Sequence, residues 1–294
     1  MNKTKIEWAD SSWNPVSGCL HKCGYCYART IAGRFGGCDS YNTLDTTLGN
    51  GATIHELDRP AMNNNGTKAP YPFGFEPTFH KYRLGECESK AGRTIFVGSM
   101  ADIFGSWVPQ KWIEQVFDAR RRAPQHRYLF LTKNPGRYCD LERAGVLPEE
   151  DNFWFGATYD HSNWCGEKVE GRPTTFSLNG KCVHDAGDWY FPGIFWKNND
   201  FDKEYGDGTR ATRNRFVSFE PLLYDIGAHI GSTGGMWHII GAETGTRAGK
   251  VKCKKEWVDH IVEWSDKHGI PVFMKDSLIP VVGEENMRRD FPWN

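Results

Sequence analysis

Three cysteines stand within eight positions of one another in the stretch SGCLHKCGYCYA: Cys19, Cys23 and Cys26, spaced C-x3-C-x2-C. The other six, Cys38, Cys87, Cys139, Cys165, Cys182 and Cys253, are scattered singly, and no second CxxC pair occurs. Nine cysteines are an odd number for a fully paired disulfide framework. A structural zinc site takes four ligands and usually draws them from two such pairs, so zinc here needs a fourth ligand such as His21 or Cys38. A redox pair at Cys23 and Cys26 needs no third sulfur. On a four-iron cluster, three thiolates leave one iron open to a substrate or cofactor, and an open position is what a catalyst requires. Without a paired motif, Cys165 and Cys182 read as ordinary residues before they read as an auxiliary cluster site.

Such a site needs a frame. Six apolar runs end in small or polar residues: RTIFVGSMAD (93–102), RYLFLTKNP (127–135), NFWFGATYD (152–160), RFVSFEPLL (215–223), MWHIIGAETG (236–245) and IPVFMKD (270–276). Continuous rather than alternating apolar runs predict strands buried on both faces, as in parallel sheets. Helices are predicted over 109–123, with Trp112, Ile113, Val116 and Phe117 on one face, and over 255–269, with Gly269 as its stop. A third starts directly after Cys26 and covers 27–37. The basic run Arg120, Arg121, Arg122 reads as the solvated end of the first of these, where the helix dipole favours cations. Alternating strands and helices predict an α/β fold, a full or partial (β/α) barrel of the TIM type. One domain over 1–294 is expected, with irregular insertions at about 38–76 and 160–212 acting as lids.

In a parallel barrel, chemistry collects at the carboxyl ends of the strands. Those ends carry Ser99 and Asp102, Thr132 and Lys133, Thr158 and Asp160, Ser218 and Glu220, Glu243 and Thr244, and Lys275 and Asp276. One polar residue after an apolar run merely ends a strand. Six such ends together predict a polar cup for a charged ligand, with carboxylates for amines and lysines for carboxylates or phosphates.

The cysteine stretch, with aromatic Tyr25 before the last cysteine and a helix after it, resembles the signature of the radical S-adenosylmethionine superfamily. The segments TKIEWADSSWNPVSGC, SMADIF, LTKNP, SFEPLL, GAETG and MKD further resemble, in order, motifs of an uncharacterised bacterial and phage-associated family. That family often has a longer gap between its first two cysteines. The resemblance spans the chain apart from the two insertions. It implies a [4Fe–4S] cluster on Cys19, Cys23 and Cys26, whose open iron chelates S-adenosylmethionine, and an electron donor such as flavodoxin or ferredoxin. It implies cofactor contacts at Tyr25, at Ser99, Met100 and Asp102 (where the superfamily has a G-G-E-like motif that this chain lacks), and at Thr158 and Glu220. Lys133, Glu243 and Lys275 are then candidates for cofactor or substrate, each with a buried ion pair as the plain alternative.

Composition narrows the rest. Net charge is −1 with 36 basic and 37 acidic residues, so no overall field recruits a long polyanion or an anionic membrane. A small molecule, a nucleotide or a nucleic-acid base is the expected substrate. No run approaches the roughly 18 apolar residues of a membrane span, and the opening MNKTKIEWAD has no apolar core of a secretory leader. A reducing cytoplasm is therefore expected, where clustered thiols hold metal more often than they pair. Two rivals stand: a zinc-bearing nucleic-acid-binding module, and a barrel hydrolase working through Asp102, Glu220 and Glu243.

Overall fold

The computed structural model describes residues 2–37, 43–88, 91–159, 168–169, 172–173, 175–178, 181–184, 214–226, 236–245 and 250–294. Asp160, Cys38 and Cys165 lie outside these residues. The chain divides into two compact units, Met1–Thr132 and Lys133–Asn294. Both are α/β, with parallel strands joined through helices.

In the first unit, β1 (Asn2–Lys3) pairs antiparallel with β2 (Ser11–Trp13). The chain then makes β3 (Val16–Ser17), the cysteine loop and α1 (Tyr27–Arg34). The region expected to be irregular contains β4 (Leu44–Thr47) and β5 (Thr53–Leu57). With β6 (Thr78–His80) they form a second sheet in the order β3-β6-β5-β4. These strands escape a periodicity reading because their key positions are polar. His55 of β5 is buried between carboxylates, its Nδ1 2.7 Å from Asp45 and its Nε2 2.7 Å from Glu76, with its ring stacked on Phe73.

The main sheet resumes with β7 (Thr94–Val97), parallel to β2, and runs through α2 (Gln110–Arg121) to β8 (Arg127–Thr132), parallel to β7. As the sequence predicts, α2 buries Trp112, Ile113, Val116 and Phe117. Rings of Phe104, Phe117 and Phe130 meet edge-on or tilted at 5.5–6.3 Å. Trp112 stacks on Phe79 at 5.2 Å, which ties the small sheet to α2.

In the second unit, α3 (Gly136–Arg143) precedes β9 (Phe153–Thr158). Two short antiparallel pairs follow, β10 (Lys168–Val169) with β11 (Arg172–Pro173) and β12 (Thr175–Leu178) with β13 (Lys181–His184). Then come β14 (Asn214–Phe219), β15 (His238–Ile240), α4 (Lys255–Lys267) and β16 (Val272–Met274). The sheet order is β9-β14-β15-β16, all parallel.

The two faces of this sheet differ. On one, an aromatic layer closes the amino ends of the strands: Phe216 meets Trp237 at 5.8 Å, and the terminal Phe291 and Trp293 pack on Trp237 at 5.7 and 5.2 Å. Gly156 is required in this layer, since a Cβ there would lie 2.3 Å from the Phe216 ring. The other face packs on α4, where His238 Nδ1 sits 2.8 Å from Ser265 Oγ, and that hydroxyl donates to the Ile261 carbonyl.

Burial pushes the pKa of His238 down to about 3. An unfolded chain titrates the same ring near pH 6.5. Between those values the unfolded state binds a proton that the folded state refuses, so the stability this group leaves intact above pH 6.5 falls as pH drops, by about 1.4 kcal/mol per unit. We expect the stability difference between about pH 7 and about pH 5 to shrink by about 2 kcal/mol in His238→Gln, measured by urea unfolding at both pH values.

Candidate functional site

The cysteine loop leaves β3 at Gly18 and enters α1 at Tyr27. Its ends are fixed on the segment after β7: the Gly18 N–H donates to Met100 O at 2.9 Å, and the Tyr27 hydroxyl donates to Ser99 O at 2.7 Å. The Cys19 N–H donates to Phe75 O at 3.2 Å, which ties the loop to the chain before β6. Cys26 caps α1, its sulfur accepting the Arg29 N–H at 3.4 Å, so the third cysteine both starts the helix and ends the loop. Arg29 also reaches back to Cys19 O at 3.3 Å and lies over the Phe75 ring.

Cys19, Cys23 and Cys26 are half-buried, and none of them is in a disulfide. Burial, and then the nearby Asp102 carboxylate, push the Cys19 thiol up to about 12. It is therefore protonated at neutral pH and must release that proton to ligate a metal. Tyr25 is half-buried in the turn before Cys26.

The residues after β7 brace this loop. Asn14 donates to Ser99 Oγ at 3.0 Å and accepts the Met100 N–H at 3.0 Å. Met100 is buried against Ala28 and Ala32 of α1. Asp102 is buried, and both of its oxygens are engaged. Oδ2 lies 2.7 Å from His21 Nε2, while Oδ1 accepts from Thr132 Oγ1 at 2.7 Å and from the Phe104 N–H at 3.1 Å. The His21 ring meets Trp107 edge-on at 4.8 Å. Ser99, Met100 and Asp102 thus gather at the cysteine loop, and Asn14, His21, Thr132, Tyr27 and Trp107 join them. Asn14 and Tyr27 sit inside or beside the quoted motifs, yet nothing local in sequence marks their contacts with Ser99 and Met100.

In the second unit, Glu220 and Lys275 form an ion pair from the ends of β14 and β16. Gly241 lies between them after β15, where a Cβ would stand 3.1 Å from Lys275 Cδ and 3.2 Å from Glu220 Cγ. Strand register pairs Thr158 with Ser218, on the face that also carries Glu220 two residues further on. Ser218 is buried, and its hydroxyl has no hydrogen-bond partner among the described residues. Glu243 is buried, Lys133 is half-buried, and Thr244 is exposed. Asp276 turns to Arg289 instead. The unit therefore holds Thr158, Ser218, Glu220 and Lys275 on one face above the aromatic layer.

An iron–sulfur cluster asks for soft thiolate donors shielded from water. Three half-buried cysteines outside any disulfide on one braced loop are such a donor set. Among the described residues, no three His, Cys, Asp or Glu side chains gather about a single point as one bare ion would need. A cubane differs, since each thiolate binds a different iron. The donor chemistry fits such a cluster, which Cys19, Cys23 and Cys26 would hold.

Among the described residues no helix is long and apolar enough to cross a membrane. No curated protein and no solved structure matches the chain. The family model described as "Protein of unknown function (DUF5131)" matches residues 3–172 of the 294, which contain the cysteine loop, its bracing segment and β9. With more than half of its length matched, the chain belongs to the DUF5131 family.

Proposed function

We propose that the protein is a radical S-adenosylmethionine enzyme. One observation carries the reading: three cysteines outside any disulfide, in C-x3-C-x2-C spacing, lie on a loop that follows a strand and ends as the cap of a helix. When bound, a [4Fe–4S] cluster would supply an electron to cleave S-adenosylmethionine, giving a 5′-deoxyadenosyl radical that takes hydrogen from a substrate C–H. In this reading the parallel strands of the two units belong to one full or partial (β/α) barrel, with its chemistry at the carboxyl ends. Cys19, Cys23 and Cys26 hold the cluster, and Tyr25 and the Ser99 segment border it. Thr158 and Glu220 serve the cofactor, while Lys275, Lys133 and Glu243 serve cofactor or substrate. The Glu220–Lys275 pair offers a carboxylate and an ammonium side by side to a ligand with both charges. The substrate is a small molecule, a nucleotide or a nucleic-acid base, and the electron comes from a flavodoxin- or ferredoxin-like donor in a reducing cytoplasm.

The test is anaerobic purification with iron and sulfide analysis, electron paramagnetic resonance of the reduced protein, and chromatography for 5′-deoxyadenosine. About four irons per chain, a resonance that shifts on adding S-adenosylmethionine, and loss of 5′-deoxyadenosine in Cys23→Ala are expected. A colourless protein that keeps stoichiometric zinc after anaerobic cluster reconstitution would sink the proposal.

That second outcome corresponds to a second reading, which one contact favours. With Nε2 donating to Asp102, His21 keeps Nδ1 as its lone pair, the arrangement in which a histidine ligates a metal. Three cysteines and His21 would then have to draw together into a Cys3His zinc site in a nucleic-acid-binding module, since among the described residues no three such side chains meet at one point.

A further inference from the structure

We propose that His21 and Asp102 form a latch that positions the middle of the cysteine loop and sets a fixed negative charge beside it. Asp102 acts here as a positioning residue, not as a ligand to cofactor or substrate.

The loop's ends are fixed by backbone and tyrosine contacts to Met100 and Ser99. Between them, His21 reaches across to Asp102 at 2.7 Å, a bond that spans 81 positions of sequence. The carboxylate is itself immobilised, since Thr132 Oγ1 and the Phe104 N–H hold its second oxygen. Trp107 meets the edge of the His21 ring and limits its swing. The next residue, Lys22, has φ of 58°, a left-handed conformation that a residue with a side chain keeps only where its surroundings enforce it. The latch is adjacent to that strained point. The anchored carboxylate, 2.7 Å from a histidine that stands midway between Cys19 and Cys23, also sets a negative charge beside the loop.

The latch can be tested without iron. Chelator-treated protein in reductant is compared with Asp102→Ala, His21→Ala, the double variant and Asp102→Asn by hydrogen–deuterium exchange of the peptide spanning residues 19–26. Losing a hydrogen bond to a charged group speeds local exchange roughly ten-fold or more. We expect that increase in both alanine variants, no further increase in the double variant, and restored protection in Asp102→Asn, whose amide oxygen still accepts from Thr132 and Phe104 and whose N–H donates to His21 Nε2 once the ring carries its proton on Nδ1. The charge is tested separately and rests on the iron–sulfur reading: in reconstituted Asp102→Asn the cluster's midpoint potential moves positive, a change that a purely structural residue does not cause.

Loop exchange equal to the parent in both alanine variants would overturn the latch. Should Asp102→Ala fail to fold, His21→Ala alone decides. If exchange responds as expected but reconstitution yields no iron, the latch stands and the iron–sulfur reading falls. If iron binds and the potential of Asp102→Asn does not move, the electrostatic half of the proposal is wrong.

Discussion

Gly18→Ala is expected to destabilise the first unit by about 4 kcal/mol or more, which places it among the few substitutions that single out a special backbone position. Two independent reasons converge there. Its φ of 85° lies in the region that favours glycine. A Cβ would also stand 2.1 Å from Glu76 O, 2.4 Å from the carbon of that carbonyl and 2.7 Å from Pro77 N. All three are backbone atoms, so no rotamer change relieves the clash. The strand pairing of β3 with β6 must open, and with it the Cys19 N–H bond to Phe75 O. Because Gly18 directly precedes Cys19, the proposed iron–sulfur site predicts that iron retention falls along with stability. The control is Gly33→Ala in α1, where nothing lies within 4 Å of a new Cβ. Glycine within a helix is worse than alanine by about 1 kcal/mol, so this variant should be neutral or more stable. Urea unfolding of both variants, read by tryptophan fluorescence, separates the cases; a Gly18→Ala midpoint equal to the parent would contradict the close approach.

Nothing local in the sequence marks Gly18, because the backbone that crowds it belongs to Glu76 and Pro77. The cysteine spacing is local, so it survives in the linear text, and so do the six apolar runs that became β7, β8, β9, β14, β15 and β16. The helical stripes of α2 and α4 are equally local, repeating every three or four residues. What sequence could not register is long-range. His21 meets Asp102 81 positions away, and Asn14 meets Ser99 85 positions away. No period or motif predicts such pairings. The small sheet is hidden in the sequence for a different reason. All four residues of β4 are exposed, and β5 buries a histidine between acids, so neither strand shows the apolar alternation that marks a half-buried strand. The strand β2 spans three residues, too short for any pattern.

The basic run at the end of α2 is the plainest reversal. Arg121 and Arg122 are exposed, as the run suggests, but Arg120 is fully buried. Its guanidinium carbon lies 3.4 Å from the centre of the Trp13 ring and 5.1 Å from that of Tyr128, and its Nη2 donates to Leu84 O at 3.0 Å. Among the described residues no carboxylate pairs with it, and burial lowers its pKa from the usual arginine value. The charge is therefore held by two aromatic faces, the Leu84 carbonyl and the neighbouring Cys87 sulfur. A planar, weakly hydrated guanidinium suits that role better than an ammonium.

Arg120→Ala should then cost about 3 to 4 kcal/mol, because it leaves a cavity against Trp13 and Tyr128 as well as losing the bond to Leu84 O. Arg120→Met fills most of the same space and removes a desolvated charge, so its cost should stay near about 1 kcal/mol. The pair of variants decides which force matters. Equal damage in both, read from urea unfolding, would mean that charge on the rings outweighs volume. Damage in Ala alone would mean that packing dominates and the charge is incidental. Packing is the expected winner, since volume is lost in full whereas the cation is already stripped of water. The effect reaches the candidate site as well: Trp13 directly precedes Asn14, which holds Ser99 and Met100 beneath the cysteine loop. A Trp13 ring left unsupported moves Asn14, so Arg120→Ala should also speed hydrogen exchange at the Met100 amide while Arg120→Met leaves it protected.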